Sequence, residues 1–166
     1  MSAGERPHIR VGIGYDSHRL VAGKPLCIGL VTIPFDKGFS GHSDGDILAH
    51  ALTDALLGAA GLGDIGRHFP DHDPRWKDAD SRLFLEHAVL LLAELGYHPS
   101  SVDAVVILER PKLAPHIEYI RAALAGVLHL PTDCVSVKAK TAEGLGEVGQ
   151  GLAAECHAVA VIERVP

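Results

Sequence analysis

Residues 41–60 read GHSDGDILAHALTDALLGAA, and this segment decides the fold. It opens with His42, Ser43, Asp44 and Asp46, and serine and aspartate favour a helix start because their side-chain oxygens accept hydrogen bonds from its free N–H groups. Apolar residues then recur at helical spacing and form a core-facing stripe: Ile47, Leu48, Ala51, Leu52, Ala55, Leu56 and Ala59. The segment therefore predicts an amphipathic helix.

The polar side of this helix carries a histidine one turn below the acidic start. Asp46, His50 and Asp54 are spaced four residues apart, so they share one helix face. A lone histidine at such a place is most often an ordinary surface or packing residue. His50 therefore gains meaning only from residues that precede it in the chain.

The composition is that of an ordinary globular protein. The chain has 166 residues, 47% of them hydrophobic, and we expect one domain over residues 1–166 with a short extension at residues 1–8. The net charge of −6 argues against nucleic-acid binding, while local basic pairs such as Lys138/Lys140 leave room for an anionic substrate. No apolar run is long enough to span a membrane.

The cysteines favour a reducing compartment. Cys27, Cys134 and Cys156 are widely spaced, odd in number and outside any C-x-x-C motif, which is typical of free thiols. The first residues, MSAGERPHIR, contain no apolar signal segment. We therefore expect a cytoplasmic protein.

The remaining patterns predict alternating strands and helices. Helices are expected over residues 41–60, 79–96 and 116–130. Strands are expected over residues 8–15, 102–108, 134–139 and 152–163, with a hairpin at residues 26–33. The first half of residues 152–163 reads equally well as a helix. Residues 61–77 have no periodicity and are expected to form a long loop.

This order of elements predicts an α/β (α+β) two-layer sandwich, in which one mixed β-sheet carries the helices on one face. The second face of such a sheet is left without helices. We therefore expect it to be buried against other copies of the chain.

Asp16, His18 and His50 are candidate metal ligands. Asp16 and His18 stand two apart at the expected end of the first strand, so they project to the same side. With His50 they offer one carboxylate and two imidazoles, the set that binds zinc with an open fourth position. Because Asp-x-His pairs are common by chance, spacing alone leaves this site a hypothesis.

Five motifs follow one another along the chain: GYDSHRL at 14–20, GHSDGDILAHALTDALLGAAGLGDIGRHFPDHDP at 41–74, ADSR at 79–82, ERPKLAPH at 109–116 and KTAEGLG at 140–146. In this order they closely resemble the 2-C-methyl-D-erythritol 2,4-cyclodiphosphate synthase family. The resemblance covers about residues 10–163. So long a series of motifs in the same order does not arise by chance.

The resemblance implies a reaction of the methylerythritol phosphate route to isoprenoids. In it, 4-diphosphocytidyl-2-C-methyl-D-erythritol 2-phosphate cyclises to the 2,4-cyclodiphosphate and releases CMP. The substrate's own 2-phosphate is the nucleophile. The resemblance also implies Zn²⁺ on Asp16, His18 and His50, and Mg²⁺ or Mn²⁺ on the substrate diphosphate with Glu143 as protein ligand.

The resemblance further assigns residues to the substrate. His42 and Thr141 take the catalytic positions. Asp46 is expected to orient a ligand or the substrate, or else to be a plain helix-start carboxylate. The other implied substrate contacts are Asp16, His18, Ser43, Asp64, Ile65, Gly66, Phe69, Pro70, Asp71, His72, Asp73, Leu108, Pro111, Lys112, Leu113, Ala114, Lys140, Ala142 and Glu143.

Members of this family form homotrimers, so the resemblance implies active sites between subunits, with metal ligands from one chain and the cytidine pocket from the next. Many members carry an aromatic residue and an arginine where this chain has Glu147 and Gln150, facing a central cavity that can hold an isoprenoid diphosphate. We predict that this chain does not bind that ligand. Ala142 replaces a second threonine and removes one hydroxyl.

Two other functions remain open at this stage. A zinc-dependent phosphate-ester hydrolase would use the same three ligands to activate water. A non-catalytic, metal-stabilised trimeric binding module would keep the fold and the metal without turnover. The hydrolase reading leaves the ERPKLAPH and KTAEGLG motifs unexplained, and intact candidate site residues argue against the binding module.

Overall fold

The segment at residues 41–60 provides the central helix of the computed structural model, which describes residues 7–70 and 72–165. Helix α1 spans Ile47–Ala60 and its N-cap is Asp46, whose carboxylate accepts two hydrogen bonds from the first helical turn. Gly61 ends the helix with a φ of 73°, a left-handed conformation that glycine adopts without the steric cost of a Cβ.

Five strands form one mixed sheet in the order β4-β1-β7-β5-β6. Their bounds are β1 Ile9–Ala22, β4 Lys37–Phe39, β5 Tyr97–Ile107, β6 Val135–Lys140 and β7 Ala153–Arg164. All neighbouring strands are antiparallel except β5 and β6, which are parallel. The predicted hairpin is present as a separate pair, β2 (Leu26–Ile28) and β3 (Val31–Ile33).

The last segment of the chain is a strand along its whole length. β7 lies between β1 and β5, and its backbone pairs with both. The helical alternative for residues 152–163 is therefore wrong, because two neighbouring strands satisfy the backbone groups that a helix would bond internally.

The helices are placed as the sequence predicts. α1 packs on β1 and β7, while the later helices pack on β5 and β6. Their bounds are α3 Arg82–Glu94 and α4 Ile117–Leu128, preceded by the short α2 at Ile65–His68 and followed by the short α5 at Gly146–Gly149. Three 3-10 turns lie at Pro74–Trp76, Ala114–His116 and Thr132–Cys134. Residues 61–77 are thus partly helical rather than one loop.

Glycines on β1 bring the helix layer very close to the sheet. A Cβ on Gly12 would lie 1.9 Å from the carbonyl oxygen of Ala55, and one on Gly14 would lie 1.8 Å from that of Ala51. Strand register places Gly12 beside Ala160 of β7, and Ala160 beside Val102 of β5, so these rows share the helix-facing side. The predicted two-layer α+β sandwich is confirmed.

The opposite face of the sheet is apolar and exposed in the single chain. On β1 it presents Val11, Ile13 and Tyr15, and the side chain of Ile13 is 74% exposed. Val159 of β7 lies in the same row as Ile13. This is the face that we expected a partner copy to cover.

The core, the cysteines and the helix lengths show no unusual feature within the described residues. The described elements contribute to one hydrophobic core. Cys27, Cys134 and Cys156 are free thiols, as their spacing indicates. Within the described part of the chain, no helix combines the length and the apolar character needed to cross a membrane.

Candidate functional site

The sequence predicts Asp16 and His18 at the end of the first strand. In the structure they lie within β1 instead. The strand continues to Ala22 because β7 pairs with it beyond this point: Asp16 is opposite Cys156 and His18 is opposite Ala154. Alternation along the strand puts both side chains on the side of α1, where Gly12 and Gly14 also lie. The pairing with β7 therefore fixes where the backbone of both residues lies.

His50 brings the third candidate ligand to this pair. It lies in the first turn of α1 and is only 8% exposed. The Oδ2 atom of Asp16 is 3.0 Å from Nδ1 of His50 and 3.1 Å from Nδ1 of His18. One ligand atom from each residue lies within 4.8 Å of the other two, so the predicted three-residue cluster is confirmed as a group that could hold a metal ion.

The chemistry of this cluster fits a metal cation. Nδ1 of His18 is buried and has no hydrogen-bond partner among the described residues, although the Asp16 carboxylate is nearby. A buried nitrogen without a partner is costly unless something else binds it. Two imidazole nitrogens and one carboxylate oxygen converging on one point are the donors that zinc and similar metals take.

The site also alters the acidity of Asp16 and of His50. Burial would raise the pKa of Asp16, but the imidazoles of His18 and His50 hold the pKa of its carboxyl below its usual value. Burial would lower the pKa of His50, but the Asp16 carboxylate raises that pKa above the ordinary value for histidine. The cluster is thus a negative centre that attracts either a proton or a metal ion.

Two serines contact the other side of the His50 ring. Nε2 of His50 is 2.9 Å from the hydroxyl oxygen of Ser81 and 3.1 Å from that of Ser43. Ser81 is fully buried, and its hydroxyl donates to the carboxylate of Asp44.

Sequence reasoning missed the contact of Ser81 and Asp44 with the site. Ser81 stands at the N-cap of α3, but its side chain makes no capping bond. Asp44 was interpreted only as a residue of a helix start. Ser81 lies in the ADSR motif, and the presence of that motif among the matching strings was the one signal that pointed to it.

The structure gives Asp46 a different role from the expected orientation of a ligand or substrate. Its fully buried carboxylate caps α1 and also accepts from the backbone N–H groups of Gly29 and Leu30, at 2.9 and 2.7 Å, and from the thiol of Cys27. None of its hydrogen bonds within the described residues goes to the side chain of His50. Asp46 therefore joins the β2–β3 hairpin to the helix start, which matches the helix-start alternative.

The three candidate ligands lie at one end of a cavity of about 340 Å³, here called the ligand cavity. His42 and Ser43 line it beside them, and Nε2 of His42 is 3.2 Å from the backbone oxygen of Asp73. Its apolar wall consists of Ile65, Phe69, Trp76 and Phe84, together with the backbone of Gly66. The cavity therefore joins a polar, ligand-bearing end to an apolar wall.

The rest of the expected contacts at residues 64–73 are arranged differently. Asp64 caps α2 by accepting from the N–H of Arg67, and Asp73 is paired with Arg75 at 2.6 Å. Hydrogen bonds from Arg75 lower the pKa of the Asp73 carboxyl to about 2. Four described residues of this segment were expected to contact substrate but do not line the ligand cavity: Asp64, Pro70, His72 and Asp73. Asp71 lies outside the described residues.

A second group of expected contacts comes together where β5 and β6 end. These residues line a shallow cleft of about 120 Å³, here called the strand-end cleft: Leu108, Pro111, Lys112, Leu113, Ala114, Lys140 and Thr141. Leu108 and Leu113 are buried, whereas Lys112, Ala114 and Lys140 are exposed. The structure thus brings these residues together, while their contacts with substrate stay a prediction.

Glu143 and Ala142 follow this cleft. The Thr141 hydroxyl donates to Oε1 of Glu143 at 2.6 Å, and the N–H of Ala142 donates to Glu109 at 3.2 Å. Glu143 is exposed, and it is not part of the Asp16, His18 and His50 cluster. Its role as a ligand of a second metal therefore stays a prediction.

An open concavity of about 790 Å³ lies between the two regions. His18 lines both this concavity and the ligand cavity, while Thr141 lines both the concavity and the strand-end cleft. Glu147 lines it as well, and Gln150 is exposed nearby in sequence.

Together, the fold and the site define a two-layer α+β protein with a candidate metal centre on the helix side of its sheet. The sequence profile of the YgbB family matches residues 9–163. The chain belongs to the YgbB family.

This chain is similar to known synthases both in sequence and in three-dimensional structure. A 2-C-methyl-D-erythritol 2,4-cyclodiphosphate synthase from Gloeobacter violaceus is 60% identical over 156 residues, which cover 94% of this chain and 96% of the relative. A solved structure of a synthase of the same name, in a CDP-bound form, has a TM-score of 0.86 at 43% identity and covers 93% of this chain and 100% of its own.

The bifunctional IspDF from Campylobacter jejuni has a TM-score of 0.90 at 37% identity. The match covers 94% of this chain but 42% of that longer one. The fold of this chain therefore also occurs as one part of a larger protein.

Proposed function

We propose that this chain converts 4-diphosphocytidyl-2-C-methyl-D-erythritol 2-phosphate into 2-C-methyl-D-erythritol 2,4-cyclodiphosphate and releases CMP. The observation that carries this proposal is the cluster of Asp16, His18 and His50 at one end of the ligand cavity, in a chain 60% identical to a synthase of that name. The enzyme is a phosphorus–oxygen lyase of isoprenoid biosynthesis. The strand-end cleft supplies a second region for the nucleotide end of so long a substrate.

The reaction needs positioning more than it needs a protein nucleophile. An oxygen of the substrate's 2-phosphate forms a bond to its β-phosphorus, and the bond from that phosphorus to the oxygen bridging to CMP breaks. CMP leaves with the electron pair of the broken bond, and no water is consumed. The protein must therefore hold two anions in line against their repulsion and exclude water.

The donor set of the cluster favours Zn²⁺, with Asp16, His18 and His50 as its ligands. When bound, such an ion supplies Lewis-acid stabilisation of charge on a phosphoryl oxygen. Mg²⁺ or Mn²⁺ accompanies the substrate diphosphate, and Glu143 is the proposed protein ligand. The exposed position of Glu143 suits an ion that arrives with the substrate.

Residues around the ligand cavity hold the methylerythritol phosphate end. His42 lies at the cavity and can donate to a phosphate oxygen, with Ser43 beside it. The apolar side chains of Ile65 and Phe69 contact the carbon skeleton and keep water away from the reacting phosphorus. Asp64, Pro70, Asp71, His72 and Asp73 belong to this segment, and their contacts depend on its arrangement around bound substrate.

Residues around the strand-end cleft hold the cytidine and its phosphates. Thr141 and Lys140 lie at the cleft and donate to phosphate oxygens, and the exposed Lys112 adds a positive charge. Leu108, Pro111, Leu113 and Ala114 form the cleft wall that the base contacts.

We also propose that the chain works as a homotrimer with each active site shared between two subunits. Two features support this: the apolar outer face of the sheet, with Ile13 74% exposed, and the strand-end cleft, which is too shallow at about 120 Å³ to enclose a nucleotide. In the trimer, the ligand cavity of one chain faces the strand-end cleft of the next.

Mixed trimers test this sharing. His50→Ala removes a metal ligand, and Ala114→Trp fills the exposed strand-end cleft, so each variant alone is expected to be inactive. Co-refolding the two is expected to restore CMP release, because some sites then combine an intact ligand cavity with an intact cleft from another chain. A mixture that stays inactive, while refolded wild-type protein recovers, would contradict the shared site.

Nucleotide chromatography tests the activity itself. The purified protein with zinc, magnesium and the cytidyl substrate is expected to release CMP and to leave p-nitrophenyl phosphate and other simple esters intact. Hydrolysis of such esters would favour the zinc hydrolase instead. Zinc binding without conversion of any phosphate compound would favour the non-catalytic binding module.

A further inference from the structure

A chain of hydrogen bonds leads from the His50 ring to the start of helix α3. Nε2 of His50 lies 2.9 Å from the Ser81 hydroxyl oxygen, and that hydroxyl donates to Oδ1 of Asp44. The backbone N–H of Ser81 donates to the other carboxylate oxygen of Asp44 at 3.0 Å. Asp44 thus holds Ser81 by both its hydroxyl and its backbone.

The direction of these bonds decides which nitrogen of His50 carries a proton. The carboxylate of Asp44 can only accept, so the single hydroxyl proton of Ser81 points toward it. The Ser81 oxygen can then only accept from the imidazole. Nε2 of His50 is therefore the donor, and in the neutral imidazole that metal binding requires the lone pair is then on Nδ1, the nitrogen that faces Asp16 at 3.0 Å.

From this geometry we infer that Ser81 and Asp44 are positioning residues for the metal centre: they hold His50 in the tautomer and ring orientation that present Nδ1 to the ion. The inference rests on the proposed metal site. If the ring has to change its tautomer and rotate when the metal binds, part of the binding free energy is spent on that change. Removing an outer partner of a ligand histidine therefore typically weakens metal binding by about 10–100-fold.

The neighbouring hydroxyl of Ser43 limits the size of the effect. Its oxygen lies 3.1 Å from the same Nε2 and already accepts from the N–H of Gly45 at 3.3 Å. Among the described residues, the Ser43 hydroxyl has no hydrogen bond to a carboxylate, whereas the Ser81 hydroxyl donates to Asp44. Ser43 can therefore accept from the imidazole without fixing the direction of the bond.

Zinc affinity, measured by competition with a chromogenic chelator, tests the inference in the full-length protein. Ser81→Ala is expected to weaken zinc binding by about 10-fold or more. The matched control is Thr53→Ala, which also removes a fully buried hydroxyl, in this case from α1. Among the described residues, that hydroxyl bonds only to the backbone oxygen of Ala49. The control is expected to bind zinc within about twofold of wild type.

Asp44→Asn is a second variant that keeps the shape of the side chain. An amide can donate to the Ser81 oxygen, which frees the Ser81 proton to point at His50 and favours the wrong tautomer. We expect weaker zinc binding here too. Wild-type affinity in Ser81→Ala and Asp44→Asn would overturn the inference, whereas absence of zinc binding by the wild-type protein would overturn the proposed metal site itself.

Nuclear magnetic resonance of zinc-loaded wild-type protein labelled with ¹⁵N-histidine gives a readout that does not depend on any variant folding. The Nε2 proton of His50 is expected to give a resolved signal that exchanges slowly with water, because Ser81 accepts it in a buried place. If the Nε2 proton of zinc-bound His50 exchanges rapidly with water, the proposed hydrogen bond from His50 to Ser81 is contradicted, even if the variants fail to fold.

Discussion

The ligand cavity and the strand-end cleft differ in how the chain holds them. The ligand cavity takes its polar residues from β1, from residues 42–43 and from the first turn of α1, and Ser43 and His50 among them are buried. The strand-end cleft lies where β5 and β6 end, and four of the residues that line it are exposed: Lys112, Ala114, Ala139 and Lys140. The chain therefore builds the candidate metal site from its own residues, whereas the strand-end cleft is the region that, in our proposal, substrate and a neighbouring subunit complete.

Removing a ligand histidine should produce the largest effect, since it damages the half that the chain completes alone. His50→Ala is expected to lower kcat by at least about 10³-fold, because the metal's stabilisation of the transferring phosphoryl group is worth several kcal/mol. The measurement is CMP release together with zinc content by mass spectrometry. His98→Ala, which removes an exposed histidine from outside the ligand cavity and the strand-end cleft, should change neither value by more than about twofold.

Loss of the buried cap should come next, as an effect on folding. Asp46→Ala leaves the N–H groups of Gly29 and Leu30 and of the first turn of α1 without their acceptor, so we expect it to lower the free energy of unfolding by about 3 kcal/mol. Urea denaturation of zinc-free protein measures this change.

The control for this prediction is a cap at the surface. Asp80→Ala removes an exposed carboxylate that accepts from the N–H of Arg82 at 2.8 Å, and it should cost no more than about 1 kcal/mol. Equal losses of unfolding free energy in the two variants would show that the buried Asp46 cap stabilises the fold no more than the exposed Asp80 cap does.

A change in the strand-end cleft should affect substrate binding alone. Lys112→Ala is expected to raise KM by about tenfold with little change in kcat, because an exposed lysine that contacts a phosphate stabilises bound substrate and transition state alike. Steady-state kinetics with the cytidyl substrate measures both constants. A fall in zinc content, or a fall in kcat without a change in KM, would remove the distinction between the two regions.

The smallest effect concerns the open concavity beside Thr141. Glu147 lines it and Gln150 is exposed, and neither supplies an apolar wall or a positive charge for an isoprenoid diphosphate. Calorimetric titration with geranyl diphosphate is therefore expected to give no heat beyond dilution. Tight binding would show that other residues recognise this ligand.

The sequence predicts most of the fold because the patterns behind it are local. The stripe of α1 and the alternation in the strands identify the elements, and Gly29 marks the hairpin. Two features depended on distant partners instead. β1 runs on to Ala22 because β7 pairs with it, and residues 152–163 form a strand because both neighbours are strands.

The candidate site divides in a similar way. The three metal ligands could be predicted because their types and spacing match a known motif, and the structure brings them together. The roles of Asp46 and Ser81 could not, because the same side-chain oxygen can cap a helix, anchor a hairpin or contact a histidine. Only the packing of α1, α3 and the hairpin decides which of these partners is within reach.

The most direct test of the account is a ³¹P spectrum of the reaction run in water enriched in ¹⁸O, with zinc, magnesium and the cytidyl substrate. The account predicts that CMP and the cyclic diphosphate appear in equal amounts and that neither carries ¹⁸O, because the substrate's own phosphate displaces CMP. Products that carry ¹⁸O, or unchanged substrate with folded, zinc-loaded protein, would contradict it.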